Sequence, residues 1–397
     1  MPPTLADLTD AIRAGTPLRI AGADSKAGFG HAVTAAADLS VAGLDRIISY
    51  EPEELVLVAE PGLPLTVLQA TLAARSQTLA FEPPDLGPLY GRAAGQGTLG
   101  GVVACALSGP GRLRAGACRD HVLGMTALSG RGELFRAGGR VVKNVTGFDL
   151  PKLLTGAHGT LGVMVEIVVK VLPAPPVSRT LVLAGIDGAA ATRALADALG
   201  SAAEVAAAAW TPAGLPLHDL LPDRTPCVLL RLDGVAASVA ARLATLERLL
   251  AGRAAMGVLD GGETAALWAG LRDALPLADR PDLDVWRLSV PPMAGMDVLE
   301  AVRARVPRAR GWLDWGGGLV WLGLPAGMTD AGAAIVRGAV GGAVGGDGHA
   351  TLMRASDAVK ETVPVFHPPA PALAALTARV KAQFDPGNLL NPGRMGF

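Results

Sequence analysis

Glycine-rich turns dominate one stretch of this chain, residues 95–170. Each glycine costs backbone entropy, so its recurrence needs a reason, and close approach of the main chain to a ligand is one. Residues 97–101, GTLGG, run directly into the small apolar segment VVACA. Free amides at the start of a helix would suit an anion such as pyrophosphate. Similar turns also join strands in proteins without any ligand, so this pattern alone leaves both interpretations open.

An earlier turn offers polar side chains for the same purpose. A strand is predicted at residues 17–21, and it leads into GADSKAGFG at residues 22–30. Main-chain amides there, together with the hydroxyl of Ser25 and the ammonium of Lys26, could meet phosphates. An ordinary connection between two elements is the alternative interpretation.

The elements that must position these turns follow from hydrophobic periodicity. Helices are predicted at residues 5–14, 65–74 and 373–384, and strands at 44–49, 54–60 and 165–171. Between them, residues 180–259 read strand, helix, strand twice over, which indicates a small α+β domain with a split-βαβ sheet. Five of the six tryptophans follow in residues 268–321, and we expect them in the core. The predicted domains are residues 1–175, 176–360 and 361–397.

Composition excludes several classes of protein. Half of the 397 residues are hydrophobic and 18% are charged, but no apolar run is long enough for a transmembrane segment. A net charge of −1 argues against a nucleic-acid-binding groove. The three cysteines, Cys105, Cys118 and Cys227, match neither a disulfide framework nor an iron–sulfur ligand set. The first residues lack the features of a signal peptide, which predicts a cytoplasmic location.

The order of these motifs resembles a known family. The sequence is similar to the FAD-binding domain of the vanillyl-alcohol oxidase and p-cresol methylhydroxylase (PCMH) type, and within it to the FAD-binding E subunits of bacterial glycolate oxidase complexes. The motifs that carry the resemblance are QGTLGG at 96–101, SGP at 108–110, RDHVLG at 119–124, KNVTGFD at 143–149, GTLGV at 159–163 and FDPGNLLNPGR at 384–394.

The resemblance implies a fold and a cofactor. The expected fold is α+β: a two-lobed PCMH-type FAD-binding domain, a ferredoxin-like α+β cap and a C-terminal segment that returns to the FAD domain. Ser25 and Lys26 stand where some relatives carry a residue bonded to flavin, so the expected FAD is non-covalent. The residues implied in FAD binding are Gly22, Ser25, Lys26, Gly97, Thr98, Leu99, Gly100, Gly101, Ser108, Gly109, Arg119, Asp120, Lys143, Asn144, Gly147, Gly159, Thr160, Gly162, Val163, Asn391 and Arg394.

The resemblance also implies partners. It suggests an FAD-carrying subunit of a complex that oxidises a small 2-hydroxy acid, glycolate. A D-type flavin subunit would hold the oxidation site, and an F-type iron–sulfur subunit would pass electrons singly to a quinone. Such a complex could sit peripherally at the inner membrane through its partners.

An independent FAD-dependent dehydrogenase of D-lactate or another small hydroxy acid is the alternative. That chemistry needs a base and a cation for the carboxylate, for which His349, Arg354 and Arg287 are the candidates. The related catalytic branch carries a histidine-rich metal-binding sequence, whereas residues 346–350 here hold one histidine. No metal site is therefore predicted. A flavin-free assembly subunit is a third possibility, and in it the glycines would serve only as turns.

Overall fold

The computed structural model describes residues 3–141, 147–217, 220–221, 225–345 and 347–396. The strands are β1 (Leu18–Ala21), β2 (Ala37–Ser40), β3 (Ile47–Glu51), β4 (Val56–Ala59), β5 (Gln77–Thr78), β6 (Val122–Leu128), β7 (Leu134–Gly138), β8 (Val163–Lys170), β9 (Leu172–Pro173), β10 (Val177–Ala184), β11 (Ala207–Thr211), β12 (Cys227–Gly234), β13 (Ala255–Asp260), β14 (Leu283–Ser289), β15 (Arg310–Asp314), β16 (Leu319–Pro325) and β17 (His349–Arg354).

The helices include the three predicted at residues 5–14, 65–74 and 373–384. They are α1 (Leu5–Arg13), α2 (Leu65–Ala73), α3 (Leu99–Cys105), α4 (Arg112–Ala115), α5 (Cys118–His121), α6 (Leu150–Leu154), α7 (Gly188–Leu199), α8 (Ala236–Leu249), α9 (Gly261–Arg272), α10 (Leu275–Ala278), α11 (Gly295–Arg305), α12 (Ala333–Val344), α13 (Asp357–Thr362) and α14 (Pro371–Phe384). Short 3₁₀ turns occur at Pro88–Tyr90, Pro292–Ala294 and Trp315–Gly317.

The chain divides into two compact units. The first consists of Met1–Ser108, Gly116–Ala174 and Pro364–Phe397, and the second of Gly109–Ala115 and Pro175–Val363. The short piece Gly109–Ala115 belongs to the second unit because its contacts lie there. Trp315 Nε1 donates to the Gly109 carbonyl at 3.0 Å, and Arg114 forms an ion pair of 2.9 Å with Glu204.

The first unit is built on an antiparallel sheet with the strand order β3-β4-β8-β6-β7. Strands β1 and β2 form a separate parallel pair, and β5 pairs with β9. The chain returns to this unit at its end, where Leu390 bridges in parallel to Leu18. Leu389 and Leu390 pack with Leu8 and Ile12 of α1 in one apolar cluster. The returning segment is therefore part of the core of the first unit.

The second unit contains one eight-stranded antiparallel sheet, in the order β13-β10-β12-β11-β15-β16-β14-β17. Its first half, β10-α7-β11-β12-α8-β13, is a βαββαβ arrangement, as the sequence predicts for a ferredoxin-like cap. The second half, β14-α11-β15-β16-α12-β17, repeats the same arrangement. The halves join through β11 and β15, where Trp210 pairs with Leu313.

The tryptophans lie in the core, which confirms the prediction. Trp210, Trp286 and Trp312 are completely buried, and Trp268, Trp315 and Trp321 are at most 6% exposed. The indole N–H of Trp286 donates to the Ala331 carbonyl at 2.8 Å, whereas the buried Trp312 Nε1 has no acceptor among the described residues. Among the described residues, no helix is both long enough and apolar enough to cross a bilayer.

Candidate FAD site

A pocket in the first unit opens among the turn after β1, helix α3 and the residues that follow α14. Its free volume is about 520 Å³, a figure that includes space open to solvent. Residues that are far apart in the sequence meet here. The predicted cofactor-binding residues that line it are Gly22, Ser25, Lys26, Thr98, Gly101, Asn391 and Arg394.

Lys26 places a positive charge inside this pocket. Its side chain is almost completely buried, and Nζ donates to Ser25 Oγ at 3.3 Å. Burial lowers the pKa of Lys26, and the Cys105 thiol and the Asp85 carboxylate oppose that shift. A buried ammonium is costly unless an anion lies close to it. An anionic ligand in the pocket would therefore be stabilised by Lys26 and would stabilise it in turn.

Two glycines of the pocket, Gly22 and Gly101, lie so close to Thr98 that a side chain on either would crowd it. A Cβ atom on Gly22 would lie 3.1 Å from Thr98 Oγ1, and one on Gly101 would lie 3.2 Å from the same oxygen and 3.6 Å from Lys26 Nζ. Thr98 caps α3, because its Oγ1 accepts a hydrogen bond of 3.2 Å from the Gly101 amide. Gly22 and Gly101 also line the pocket, and they present backbone without a side chain to it.

The neighbouring glycines of the same turn serve packing. A Cβ on Gly100 would lie 2.6 Å from the Pro61 Cβ and 2.8 Å from its carbonyl oxygen. A Cβ on Gly97 would lie 3.1 Å from Leu65 Cδ1 and 3.4 Å from Lys26 Nζ, and Leu99 is completely buried. These three predicted residues shape the start of α3 and do not line the pocket.

Arg394 ties the turn after β1 to the returning C-terminal segment. Its Nη1 donates to the carbonyl oxygens of Ala27 at 2.8 Å, His31 at 3.1 Å and Phe29 at 3.2 Å. Gly30 has a φ of +99°, and a Cβ there would lie 2.6 Å from Arg394 Cδ, so only glycine fits. Burial lowers the pKa of Arg394. This guanidinium holds the loop that carries Lys26 in place.

Asn391 makes a second connection between the same parts. Its Oδ1 accepts from the Ile20 amide at 2.8 Å, and its Nδ2 donates to the His158 carbonyl at 2.8 Å. Gly159 permits this approach, because a Cβ there would lie 2.8 Å from Asn391 Nδ2. Gly159 is therefore a packing residue at the edge of the pocket.

His158 and Cys105 also line the pocket, although the sequence did not single them out as site residues. Cys105 Sγ lies 3.8 Å from His158 Nδ1, and the His158 ring packs against Phe29 and Phe366 at 4.8 and 5.1 Å between centroids. Burial lowers the pKa of His158 to about 3, with a smaller contribution from the Arg394 charge. Burial likewise raises the pKa of Cys105. Both groups are neutral at pH 7, so they form an uncharged wall. The sequence feature that could have identified this wall is His158, a histidine placed between two glycine-rich turns.

Other predicted residues lie outside this pocket. Asp120 and Gly147 line a separate pocket of about 580 Å³ in the first unit, beside Phe148 and Asp149. Lys143 and Asn144 lie outside the described residues. Arg119 is exposed on α5.

The remaining predicted residues serve the framework. Ser108 Oγ accepts from the Cys118 amide at 2.9 Å. Gly109 belongs to the second unit. Thr160 Oγ1 donates to the Ala157 carbonyl at 2.7 Å, Val163 begins β8, and a Cβ on Gly162 would lie 3.1 Å from the Leu128 carbonyl oxygen.

The predicted catalytic residues all belong to the second unit. His349 begins β17 and is exposed. Arg354 ends that strand, and its guanidinium donates to carbonyl oxygens of Leu277, Ala278, Arg280 and Leu283. Arg287, on β14, lies with its Cζ atom 4.8 Å from the centroid of the Trp315 ring. Arg354 therefore closes the turn between α10 and β14.

Comparison with protein families places FAD in this fold. Residues 4–138 match the family described as FAD binding domain, and residues 369–395 match the C-terminal domain of FAD linked oxidases. Both matched ranges contribute to the pocket, the first through Lys26 and Thr98 and the second through Asn391 and Arg394.

Individual relatives agree. The chain is 36% identical to glycolate oxidase subunit GlcE of Escherichia coli (strain K12) over 393 residues, 98% of this chain and 96% of the relative. It is 33% identical to glycolate oxidase subunit GlcD of Bacillus subtilis (strain 168) over 151 residues, 38% of this chain and 30% of the relative.

Solved structures share the fold. An alkyldihydroxyacetonephosphate synthase has a TM-score of 0.72 at 14% identity. The match covers 98% of this chain and 74% of the synthase chain. p-Cresol methylhydroxylase has a TM-score of 0.71 at 13% identity, and the match covers 99% of this chain and 87% of the methylhydroxylase chain. The predicted α+β fold of the PCMH type is confirmed.

The residues of the pocket fit FAD. A dinucleotide brings a diphosphate, which needs a cation and accessible main-chain amides, and a ring that needs an uncharged wall. The pocket offers the buried Lys26 ammonium, a backbone bare of side chains at Gly22 and Gly101, and the neutral side chains of His158 and Cys105. FAD is the cofactor of this fold, and these residues would hold it.

Proposed function

Because this chain belongs to the family of glycolate oxidase subunit GlcE, we propose that it is the FAD-carrying subunit of a glycolate-oxidising complex. A D-type flavin subunit oxidises the hydroxy acid, and an F-type iron–sulfur subunit delivers the electrons to a quinone. The complex associates with the inner membrane through these partners.

The observation that carries the proposal is the buried Lys26 ammonium in a pocket lined from both FAD-family segments. Lys26 would offset part of the diphosphate charge, and Gly22 and Gly101 would let main-chain amides reach it. Asn391 and Arg394 hold the loop in position. Bound FAD would take up electrons in pairs and release them singly, which suits a step between a hydroxy acid and iron–sulfur centres.

Partner subunits follow from the cysteine content. An iron–sulfur cluster is held by four protein ligands, usually cysteines, whereas this sequence contains three cysteines in all. Cys118 and Cys227 are buried, and Cys105 faces His158 in the pocket. The proposal therefore assigns the clusters to another subunit.

The test compares the purified chain with the assembled complex. We expect the chain alone to bind FAD but not to be reduced by glycolate under anaerobic conditions. Adding the D-type subunit should allow glycolate to bleach the flavin absorbance, and reduction of a quinone analogue should also require the F-type subunit. Bleaching of the isolated chain by glycolate or D-lactate at the rate of the complex would instead establish an independent dehydrogenase. Failure to retain FAD would contradict both functions.

A matched pair of variants links the result to the pocket. Lys26→Met should retain less FAD through purification, because the buried cation is removed. Lys152→Met should retain it, since Lys152 lies outside the FAD pocket in an exposed ion pair of 3.0 Å with Asp149. Equal FAD content in the two variants would show that Lys26 does not contribute to the cofactor site.

A further inference from the structure

Two neighbouring side chains of the FAD pocket form a polar pair in which one nitrogen has no partner in the protein. Cys105 Sγ lies 3.8 Å from His158 Nδ1, and both residues line the pocket. The other ring nitrogen, His158 Nε2, makes no hydrogen bond to any of the described residues. We call Cys105 and His158 the thiol–imidazole pair.

His158 Nε2 has access to the space of the pocket. The residue is 8% exposed, yet Nε2 is not one of the side-chain atoms that are closed off from solvent without a partner. A polar atom that is neither bonded within the protein nor closed off from solvent can bond to a ligand. Because His158 lines the pocket, Nε2 is available to a ligand bound there.

The surrounding structure fixes the position of the His158 ring. The His158 amide donates to the Ala104 carbonyl at 2.8 Å, and its carbonyl accepts from Asn391 Nδ2 at 2.8 Å. Its φ of +50° is unusual for a residue other than glycine. The imidazole meets the Phe29 ring edge to face, with 4.8 Å between centroids. An imidazole held in this way presents Nε2 in a defined direction.

The Cys105 thiol favours one tautomer of His158. Burial lowers the pKa of His158 to about 3 and raises that of Cys105, so at pH 7 the imidazole has one N–H and the thiol keeps its S–H. An unprotonated imidazole nitrogen is a good acceptor, whereas a thiol sulfur is a weak one. Donation from the S–H to Nδ1 is therefore favoured over donation from an N–H to sulfur, and it leaves the ring proton on Nε2.

We propose that His158 Nε2–H donates a hydrogen bond to a ring carbonyl or ring nitrogen of FAD, and that Cys105 is a positioning residue that holds this tautomer. Both the isoalloxazine and the adenine of FAD carry such acceptors. The pocket then supplies a cation, Lys26, for the anionic part of the cofactor and a neutral donor for one of its rings. The inference rests on the FAD-carrying role in the proposed function and is independent of the partner subunits.

The affinity of the full FAD-free chain for FAD tests the donor. His158→Gln keeps an N–H near the position of Nε2, whereas His158→Met is of similar length but has no donor, and both share the cost of the left-handed backbone. By calorimetric titration, we expect His158→Met to bind FAD roughly tenfold more weakly than the wild type and His158→Gln to stay within about threefold of it. Equal affinities of the two variants would overturn the proposal.

Two fragments of the cofactor identify the ring. ADP carries the adenine and the diphosphate, whereas FMN carries the isoalloxazine. If His158→Met binds ADP more weakly than His158→Gln does, and FMN equally, Nε2 meets the adenine; the reverse result assigns Nε2 to the isoalloxazine. Either result supports the donor, and unchanged affinity for both fragments contradicts it.

The tautomer is measured by nitrogen NMR of the FAD-free chain labelled at histidine, with the His158 signals identified by their loss in His158→Gln. We expect the wild type to carry the proton on Nε2. Cys105→Ala should shift the Nδ1 resonance, and Cys105→Ser, which keeps a donor, should restore part of that shift. Cys227→Ala is the matched control, because it removes a buried thiol outside the pocket and should leave the resonance unchanged. A proton on Nδ1, or the same resonance in the two alanine variants, would overturn the proposal.

These measurements separate the inference from the proposed function. Equal FAD affinity of the wild type and His158→Met rejects only the role of His158, whereas a wild-type chain that does not bind FAD contradicts the proposed function. If His158→Met fails to fold, the NMR comparison of the wild type with the Cys105 variants still decides.

Discussion

The side-chain amide of Asn391 donates to the backbone carbonyl of His158 at 2.8 Å, although 233 positions separate the two residues. The same amide group accepts from Ile20. One side chain therefore joins strand β1, the turn before β8 and the returning C-terminal segment at the edge of the FAD pocket.

Removal of this amide should loosen the pocket. Asn391→Ala deletes two buried hydrogen bonds, so we expect the free energy of unfolding to fall by about 1–3 kcal/mol. FAD affinity should fall with it. Asn388→Ala is the control, because Asn388 shares a left-handed backbone but is exposed. Urea unfolding and FAD titration measure both effects, and equal losses in the two variants would contradict the assignment.

The charge of Lys26 should govern FAD affinity and its pH dependence. Lys26→Met should weaken FAD binding by roughly tenfold or more, and Lys26→Arg less. Because burial lowers the pKa of Lys26 in the free protein, affinity should decline as the pH rises through that pKa and the ammonium is lost. Fluorescence titration with FAD from neutral to alkaline pH measures this decline. A Met variant with the same pH profile as the wild type would show that another group is responsible.

Adjacent glycines should respond differently to alanine. Gly100→Ala pushes a methyl group into the Pro61 backbone, so it should lower the free energy of unfolding by about 1–3 kcal/mol, with or without FAD. Gly101→Ala points instead toward Thr98 Oγ1 and Lys26 Nζ, and should mainly weaken FAD binding. Thermal unfolding of the apoprotein and FAD titration separate the two effects. If both variants lost stability and FAD affinity to the same extent, Gly100 and Gly101 would not differ in role.

A buried ion pair fixes the end of α14. Lys381 pairs with Asp385 and also donates to the carbonyls of Thr160 at 2.7 Å and Leu390 at 3.1 Å. Asp385→Asn leaves the ammonium buried without its counter-ion, so we expect a loss of about 3–5 kcal/mol in the free energy of unfolding. Asp282→Asn, in an exposed pair with Arg280, should change little. Chemical denaturation compares them, and a small effect at Asp385 would mean that water or relaxation replaces the pair.

His158 should make the protein less stable in mild acid. Its pKa is about 3 when folded, below its ordinary value of 6.5, so the unfolded chain binds a proton that the folded chain excludes between these pH values. This group alone should reduce the free energy of unfolding by about 2 kcal/mol between pH 7 and pH 5. Asparagine tolerates the left-handed backbone at this position, so His158→Asn should remove this part of the pH dependence of stability. Urea unfolding at both pH values gives the difference, and identical slopes for the two proteins would refute it.

The local elements could be predicted because they depend on nearby residues. The capping box of Thr4 and Asp7, with Leu8 and Ile12 buried on one face, specifies α1 within a few positions. The repeated strand–helix–strand order likewise predicted the ferredoxin-like half of the second unit. Its doubling into one sheet depends on the contact between β11 and β15, about a hundred residues apart, which no local pattern records.

The site was predictable to a similar extent. Ser25 and Lys26 could be identified because their turn combines small residues with a hydroxyl and an ammonium. The sequence could not separate Gly100 from Gly101, since their difference lies in what a Cβ would touch, Pro61 or Thr98. It also could not identify the wall formed by Cys105 and His158, because their contact joins residues 53 positions apart.

The position of Asn391 and Arg394 has a consequence for biosynthesis. The Ile20 amide hydrogen-bonds to Asn391, a residue that the ribosome adds 371 positions later, after an interval on the order of 20–70 s at ordinary rates of elongation. Until then the nascent loop that carries Lys26 lacks the contacts of Asn391 and Arg394, while all strands of the eight-stranded sheet have already been synthesised. Flavin capture is thus a late event, and a chain that stalls before Asn391 would carry a folded second unit but no finished nucleotide pocket.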